Sequence, residues 1–157
     1  MRAKELNTKA AELLSEKKLD DLRKLAEENG IPQGDVEDYI EGYEQELTTD
    51  KILAMGKIRR ESEAMKLQGI FEDWVSYIKV CISEDPEMAE NVLAVDKTME
   101  GCMAALVKWS LENAKPVRKE ICKAAGVPAA IQDKVKLGIP SMAKAKELIR
   151  DYYGGRK

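Results

Sequence analysis

Residues 70–82 read IFEDWVSYIKVCI and form the most apolar stretch of the 157-residue chain. The apolar side chains recur at intervals of three and four residues, the spacing that places them on one face of an α-helix. They are Ile70, Phe71, Trp74, Val75, Tyr77, Ile78, Cys81 and Ile82. We therefore predict that this segment is the central core helix. We expect it to pack against a second apolar helix over residues 99–111.

Helical spacing and helix-ending signals continue on both sides of this segment. A triplet of Gly, a β-branched residue and Pro occurs at residues 30–32, 126–128 and 138–140. A glycine followed by an apolar residue is typical of a helix C-terminus, and proline is common just beyond it. The three triplets predict three uses of one helix-to-helix corner. Residues 134–139 are the only place where we would expect a short strand.

These patterns predict an all-α fold, a compact bundle of about seven or eight helices with at most one short strand near the C-terminus. We expect a single helical domain over residues 1–157. Its acidic N-terminal part covers about residues 1–47, and the core and a basic C-terminal part cover about residues 48–157.

The residue types present exclude several classes of enzyme. The chain contains no His, which rules out Ser-His-Asp and Cys-His catalysis and His-ligated zinc. Paired carboxylates such as Glu72 and Asp73 are adjacent in sequence and point about 100° apart on a helix, so they do not converge on a metal ion. No P-loop, EF-hand or GxGxxG spacing occurs. We predict a protein that is not an enzyme and that uses no cofactor and no metal.

The cysteines and the apolar runs bear on location. Cys81, Cys102 and Cys122 lack the CxxC spacing of a zinc or redox motif. The longest apolar run, Met103–Val107, is much shorter than the roughly 20 residues that a membrane-spanning helix needs. We expect reduced cysteines and a cytoplasmic protein of a bacterial host cell, with no membrane partner.

Charge is segregated along the chain. Residues 25–50 carry nine Asp or Glu and no Lys or Arg, whereas residues 103–157 carry twelve Lys or Arg and five Asp or Glu. An acidic block of this kind repels nucleic acid and attracts basic surfaces. Six of its carboxylates are the candidate partner-binding residues, and they are Asp35, Glu37, Asp38, Glu41, Glu44 and Glu46.

The spacing of these carboxylates leaves two interpretations open. Asp35 and Asp38 are three residues apart and Glu37 and Glu41 are four apart, so each pair shares a stripe of one predicted helix. The glycine turn before that helix imitates a helix-turn-helix, but the helix offers no cation to a DNA phosphate. The block is therefore either a docking surface for a basic protein or a plain solvated helix. The basic C-terminal part is open to RNA, to DNA, or to the acidic half of the same or another subunit, and a homodimer is left open.

Two segments in the second half of the chain resemble a known family. They read VLAVDKTMEGC at residues 92–102 and LGIPSMAKAKELIRDYYGG at residues 137–155. The pattern resembles the C-terminal half of PcfK-like proteins of Firmicutes phages and conjugative elements, a group that overlaps anti-CRISPR proteins which inhibit the type II CRISPR effector nuclease. The segment between the two helices is short in that family and long here. The resemblance carries over no functional residue.

Two functions are therefore expected for this sequence. The resemblance implies a non-enzymatic phage or mobile-element protein that inhibits a type II CRISPR effector nuclease, or its guide complex, by protein–protein binding. The acidic surface would then compete for a basic nucleic-acid-binding surface of the nuclease. The alternative is a nucleic-acid-associated accessory or regulatory protein of a mobile element that uses the basic C-terminal part.

Overall fold

The computed structural model describes residues 1–154 and confirms the all-α prediction. These residues form nine α-helices, one 3-10 helix and a two-stranded antiparallel sheet. The elements are α1 (Ala3–Ser15), α2 (Leu19–Glu28), α3 (Gln33–Glu41), α4 (Asp50–Met65), α5 (Ile70–Glu84), α6 (Pro86–Val92), α7 (Met99–Glu112), β1 (Lys115–Pro116), α8 (Lys119–Ala124), the 3-10 helix (Ala129–Lys134), β2 (Lys136–Leu137) and α9 (Met142–Gly154). None of the helices in this range combines the length and apolar character that crossing a bilayer requires.

The helix count exceeds the seven or eight predicted because α4 and α5 are separate helices. Lys66 and Gly69 both adopt positive φ angles, 50° and 65°, which a continuing right-handed helix does not allow. Residues 115–137 also contribute two strands where at most one was predicted, since Lys115 pairs with Leu137 and Pro116 pairs with Lys136. β2 lies within the predicted segment 134–139, whereas β1 was not predicted.

The main core lies among α4, α5, α6, α7 and α9. Trp74 and Ile78 of α5 and Met99 and Leu106 of α7 belong to one buried cluster, so both predicted helices contribute to the core. We predicted that the two helices pack against each other; instead α5 packs chiefly on α4 and α6, and α7 packs chiefly on α9. Leu111, which we had included in the apolar face of α7, is exposed because it lies in the last turn of that helix, beyond the cluster.

A second, smaller core lies among α1, α2, α3 and the start of α4. Leu6, Leu22, Val36 and Leu47 are among its buried members, and Leu53 of α4 belongs to it too. The next residue of α4, Ala54, belongs to the main core. Helix α4 therefore joins the acidic N-terminal part to the rest of the chain.

Helix α4 also approaches the corner between α2 and α3 very closely. A Cβ atom added to Gly56 of α4 would lie 2.8 Å from the carbonyl oxygen of Gly30, a distance that real Cβ atoms essentially never show. Gly30 itself has φ +69°. The Ile31 N–H donates to the Ala26 carbonyl at 2.9 Å, the bond expected of a glycine-terminated helix. The predicted corner is thus present, and it fixes where α3 begins.

The other two triplets have different outcomes. At residues 126–128 the same geometry recurs, with Gly126 at φ 77° and the Val127 N–H donating to the Cys122 carbonyl at 2.9 Å. The prediction for residues 138–140 is wrong. Gly138 follows strand β2 rather than a helix, and a Cβ there would collide with the backbone carbonyl of Ser110. Glycine is needed at 138 for close backbone packing, not for a helix end.

Residues 92–102 contact the end of helix α9. The Thr98 N–H donates to the Tyr152 hydroxyl at 2.9 Å, and the Thr98 hydroxyl accepts from the Gly101 N–H at 3.0 Å. A Cβ on Gly101 would lie 3.0 Å from Cζ of Tyr152, so glycine makes room for the ring. These contacts place the start of α7 against the end of α9.

Candidate functional site

The structure brings four of the six predicted carboxylates around one open groove. The groove is lined by Asp35 and Asp38 of α3 and by Glu44 and Glu46 of the segment between α3 and α4. The groove has a volume of about 460 Å³, within the roughly 300–1,000 Å³ usual for ligand pockets. We call these four carboxylates, with Tyr43, the acidic groove.

The acidic groove holds no compensating cation. Its other lining residues are Gln45, Leu47, Thr48, Thr49 and Ile52, so no described Lys or Arg lines it. Within residues 1–154, none of the four carboxylates forms an ion pair with a Lys or Arg side chain. Four uncompensated negative charges on one concave surface create a field that attracts a basic partner.

Tyr43 gives the groove an aromatic surface. Tyr43 is 76% exposed, whereas tyrosine is typically of intermediate burial in folded proteins. An exposed aromatic ring beside carboxylates can stack on an Arg guanidinium while the carboxylates pair with its charge. The groove is therefore suited to Arg and Lys side chains rather than to a neutral ligand.

The end of helix α3 positions Tyr43 and Glu44. Gly42 has φ 86°, and the Tyr43 N–H donates to the Asp38 carbonyl at 2.9 Å, so the chain turns sharply out of the helix. The turn brings residues 43–46 back alongside Asp35 and Asp38. Leu47, only 2% exposed, then inserts into the smaller core and ends the exposed stretch.

Helix α1 holds the far end of this stretch through a pair of hydrogen bonds. The Asn7 amide donates to the Thr48 carbonyl and its oxygen accepts from the Thr48 N–H, both at 3.0 Å. Two residues on, the Asp50 carboxylate accepts from the Ala3 N–H at 2.9 Å and from Arg2 at 2.8 Å. Burial opposes ionisation of Asp50, but the bonds from Arg2 and Ala3 lower its pKa below the ordinary value. The groove wall is thus held in place before any partner binds.

Replacing Asn7 with alanine should loosen the attachment of Thr48, and with it the groove-lining segment, to helix α1. The variant leaves the buried Thr48 N–H and carbonyl without partners, and we expect it to lower the free energy of unfolding by about 1–3 kcal/mol. Thr8→Ala is the matched control, because Thr8 is exposed and its hydroxyl bonds only within α1. Urea titration followed by circular dichroism measures both. Equal stability of the two variants would show that the pair of bonds does not hold the segment.

The remaining two predicted carboxylates lie outside the groove. Glu37 is bound by Arg23 of α2, with the Arg23 Nε to Glu37 Oε1 distance 2.8 Å, and these hydrogen bonds lower the pKa of Glu37. We had expected Glu37 and Glu41 to form a free stripe for the partner. Glu37 instead joins two helices of the chain itself, because the corner at Gly30 brings α2 and α3 side by side, and Glu41 is exposed without lining the groove.

Other candidate chemistry is sparse in the described part of the chain. Over residues 1–154, no group of three or more Cys, Asp and Glu side chains is placed to hold a metal ion. Cys81, Cys102 and Cys122 are buried and unpaired, and burial raises the pKa of Cys102 to about 12. Trp74 is buried, and Phe71 and Tyr77 pack against the main core, which fits the predicted core helix, whereas Trp109 of α7 is half-buried and lies outside that cluster. The acidic groove is the strongest candidate site.

Comparison with protein-family models, with curated proteins and with solved structures finds no match to this chain. What the fold and the groove define is an all-α protein with an open acidic groove on its surface.

Proposed function

We propose that this chain is a non-enzymatic inhibitor that docks its acidic groove on a basic protein surface. The observation that carries the proposal is that four carboxylates line one groove and that no described Lys or Arg side chain lines it. The groove is open and anchored at Thr48, so little ordering is needed on binding. Preorganisation of this kind lowers the entropic cost of association.

The proposed target is a type II CRISPR effector nuclease or its guide complex. The resemblance of residues 92–102 and 137–155 to PcfK-like and anti-CRISPR proteins supports this choice. Physical reasoning supports it as well. Such a nuclease reads its PAM with Arg side chains and holds the heteroduplex in a positively charged channel. Carboxylates of the acidic groove would occupy positions that phosphates otherwise take.

A cleavage assay tests this proposal. A guide-loaded type II nuclease from a Firmicutes host is titrated with the protein before a target duplex is added. We expect inhibition by the parent. The groove variant, Asp35→Asn, Asp38→Asn, Glu44→Gln and Glu46→Gln, should be weaker by about 10–100-fold, because electrostatic steering is lost.

The control variant makes the same change in net charge elsewhere. It carries Glu63→Gln, Glu72→Gln, Asp73→Asn and Glu84→Gln, four exposed carboxylates on α4 and α5 that form no ion pair among the described residues. We expect this variant to inhibit as well as the parent does. Full cleavage at saturating parent protein would contradict the proposed target. Equal potency of the groove and control variants would contradict the role of the groove.

The alternative function, nucleic-acid binding by the basic C-terminal part, has weaker support. Of the aromatic residues within 103–157, Tyr153 is buried and Trp109 and Tyr152 are half-buried, so the described part of the basic segment offers no fully exposed ring for base stacking. A gel-shift titration distinguishes the two functions. An accessory protein would retard DNA or RNA with an affinity that falls steeply with salt, and the proposed inhibitor would not.

A further inference from the structure

Residues 115–139 form a projecting unit that we call the basic arm. The arm comprises β1, α8, the 3-10 helix and β2, and it is inserted between α7 and α9. It carries six Lys or Arg and two Asp or Glu. Among the described ion pairs, only Arg118 of the six cations has a carboxylate partner, Glu120 of the arm itself.

The basic arm has almost no core of its own. Cys122 is its one buried residue, with the thiol 3.8 Å from the carbonyl oxygens of Val117 and Gln132. Leu137 and Ile139, by contrast, are 66% and 65% exposed, and Ile121 and Ile131 are exposed too. The arm thus presents aliphatic side chains as well as cations to the solvent. Phosphates would pair with the lysines but make no use of the aliphatic side chains.

The acidic groove and the basic arm are not paired within one molecule. Within the described range, residues 1–154, no ion pair joins a carboxylate of the acidic groove to a Lys or Arg of the basic arm. The base of the arm is fixed on α7, where Gly138 contacts the Ser110 carbonyl, whereas the groove is built on α3 and the start of α4. Each molecule therefore presents one unpaired acidic surface and one unpaired basic surface.

We infer that the chain associates with itself head to tail, with the basic arm of one copy in the acidic groove of the next. Lysines of the arm pair with Asp35, Asp38, Glu44 and Glu46. Aliphatic side chains of the arm cover Tyr43 and Ile52, the apolar part of the groove. The inference rests on the groove being a surface for cations, as the proposed function has it. Self-association then occupies the groove and competes with the target.

The symmetry of this contact has a specific consequence. The two contacting surfaces are different, so the interface is heterologous: after two copies bind, one keeps a free groove and the other keeps a free arm. Such an interface builds rings or open chains instead of stopping at a closed twofold dimer. The contact is electrostatic, so it weakens as salt rises.

Sedimentation velocity of the parent and of two variants tests the inference. The groove variant is the one used in the cleavage assay, and the arm variant carries Lys115→Gln, Lys119→Gln, Lys134→Gln and Lys136→Gln. We expect the parent to associate increasingly with concentration at about 0.05 M salt and to dissociate at about 0.5 M salt. Each variant alone should stay monomeric. Their equimolar mixture should form a dimer and nothing larger, because it contains one intact arm and one intact groove per pair.

Several results would overturn the inference. They are a parent that is monomeric at every concentration, a variant that associates as the parent does, or a mixture that stays monomeric. Retention of labelled duplex DNA by a monomeric parent would assign the arm to nucleic acid instead. Failure here is distinguishable from failure of the proposed function, since the cleavage assay measures the groove against the nuclease, and sedimentation measures the chain alone.

Discussion

Replacing Trp74 with alanine should lower the free energy of unfolding by about 3–5 kcal/mol. Trp74 is 3% exposed and lies in the main core, where the Phe71 ring meets it edge-on with the ring centroids 5.3 Å apart. Removing the indole leaves a cavity that the surrounding helices fill only in part. Urea unfolding followed by far-ultraviolet circular dichroism measures the loss.

The phenylalanine variant is the matched comparison for this site. The Trp74 indole N–H is buried and has no hydrogen-bond partner among residues 1–154, so Trp74→Phe forfeits no bond seen there and leaves a smaller cavity than alanine does. We expect it to cost about 1–2 kcal/mol. A Trp74→Ala variant that loses less than about 1 kcal/mol would contradict the assignment of α5 as the central core helix.

Replacing Lys57 with methionine should cost about 2–4 kcal/mol, because the ammonium satisfies three backbone carbonyls at once. The Lys57 Nζ donates to the backbone carbonyl oxygens of Lys97 at 2.6 Å, Val92 at 2.7 Å and Ala94 at 3.3 Å. These carbonyls lie at and after the C-terminus of α6, where helix carbonyls lack internal partners. Burial lowers the pKa of Lys57, but three N–H bonds require the protonated amine.

Lys51→Met is the control for this prediction. Lys51 lies on the same helix, is exposed, and forms no side-chain hydrogen bond among the described residues. Its replacement should change stability by no more than about 0.5 kcal/mol. Thermal and urea unfolding of both variants provide the comparison. A Lys57→Met variant as stable as Lys51→Met would show that water replaces the ammonium without loss.

Local chemistry allowed much of the helical layout to be predicted. Asp85 caps α6 through the Glu87 N–H and Thr98 caps α7 through the Gly101 N–H, because a short polar side chain before a helix satisfies a free backbone donor. The glycine corners at Gly30 and Gly126 follow equally local rules. The triplet at Gly138 could not be interpreted from local rules. Glycine is required there because the backbone of Ser110, 28 residues earlier in the sequence, leaves no room for a Cβ atom.

The candidate site was predictable in charge but not in geometry. The absence of Lys and Arg from residues 25–50 directed attention to the segment that forms the acidic groove. Which carboxylates share a groove depends on long-range contacts that no local pattern encodes. Arg23 pairs with Glu37 and compensates its charge, and Asn7 fixes Thr48 across 41 residues of sequence. An Asn on a helix face looks like any solvated polar residue, so sequence reasoning missed it.

The central claim is that the acidic groove binds a basic protein surface, and association kinetics test it most directly. The rate constant for binding to the immobilised guide-loaded nuclease is measured for the parent, the groove variant and the control variant from about 0.05 M to about 0.5 M salt. We expect the parent and the control variant to associate fast at low salt and to slow steeply as salt rises. The groove variant should associate slowly with a nearly flat salt dependence, so that the three converge at high salt. A groove variant with the same rates and the same salt dependence as the control variant would contradict the claim.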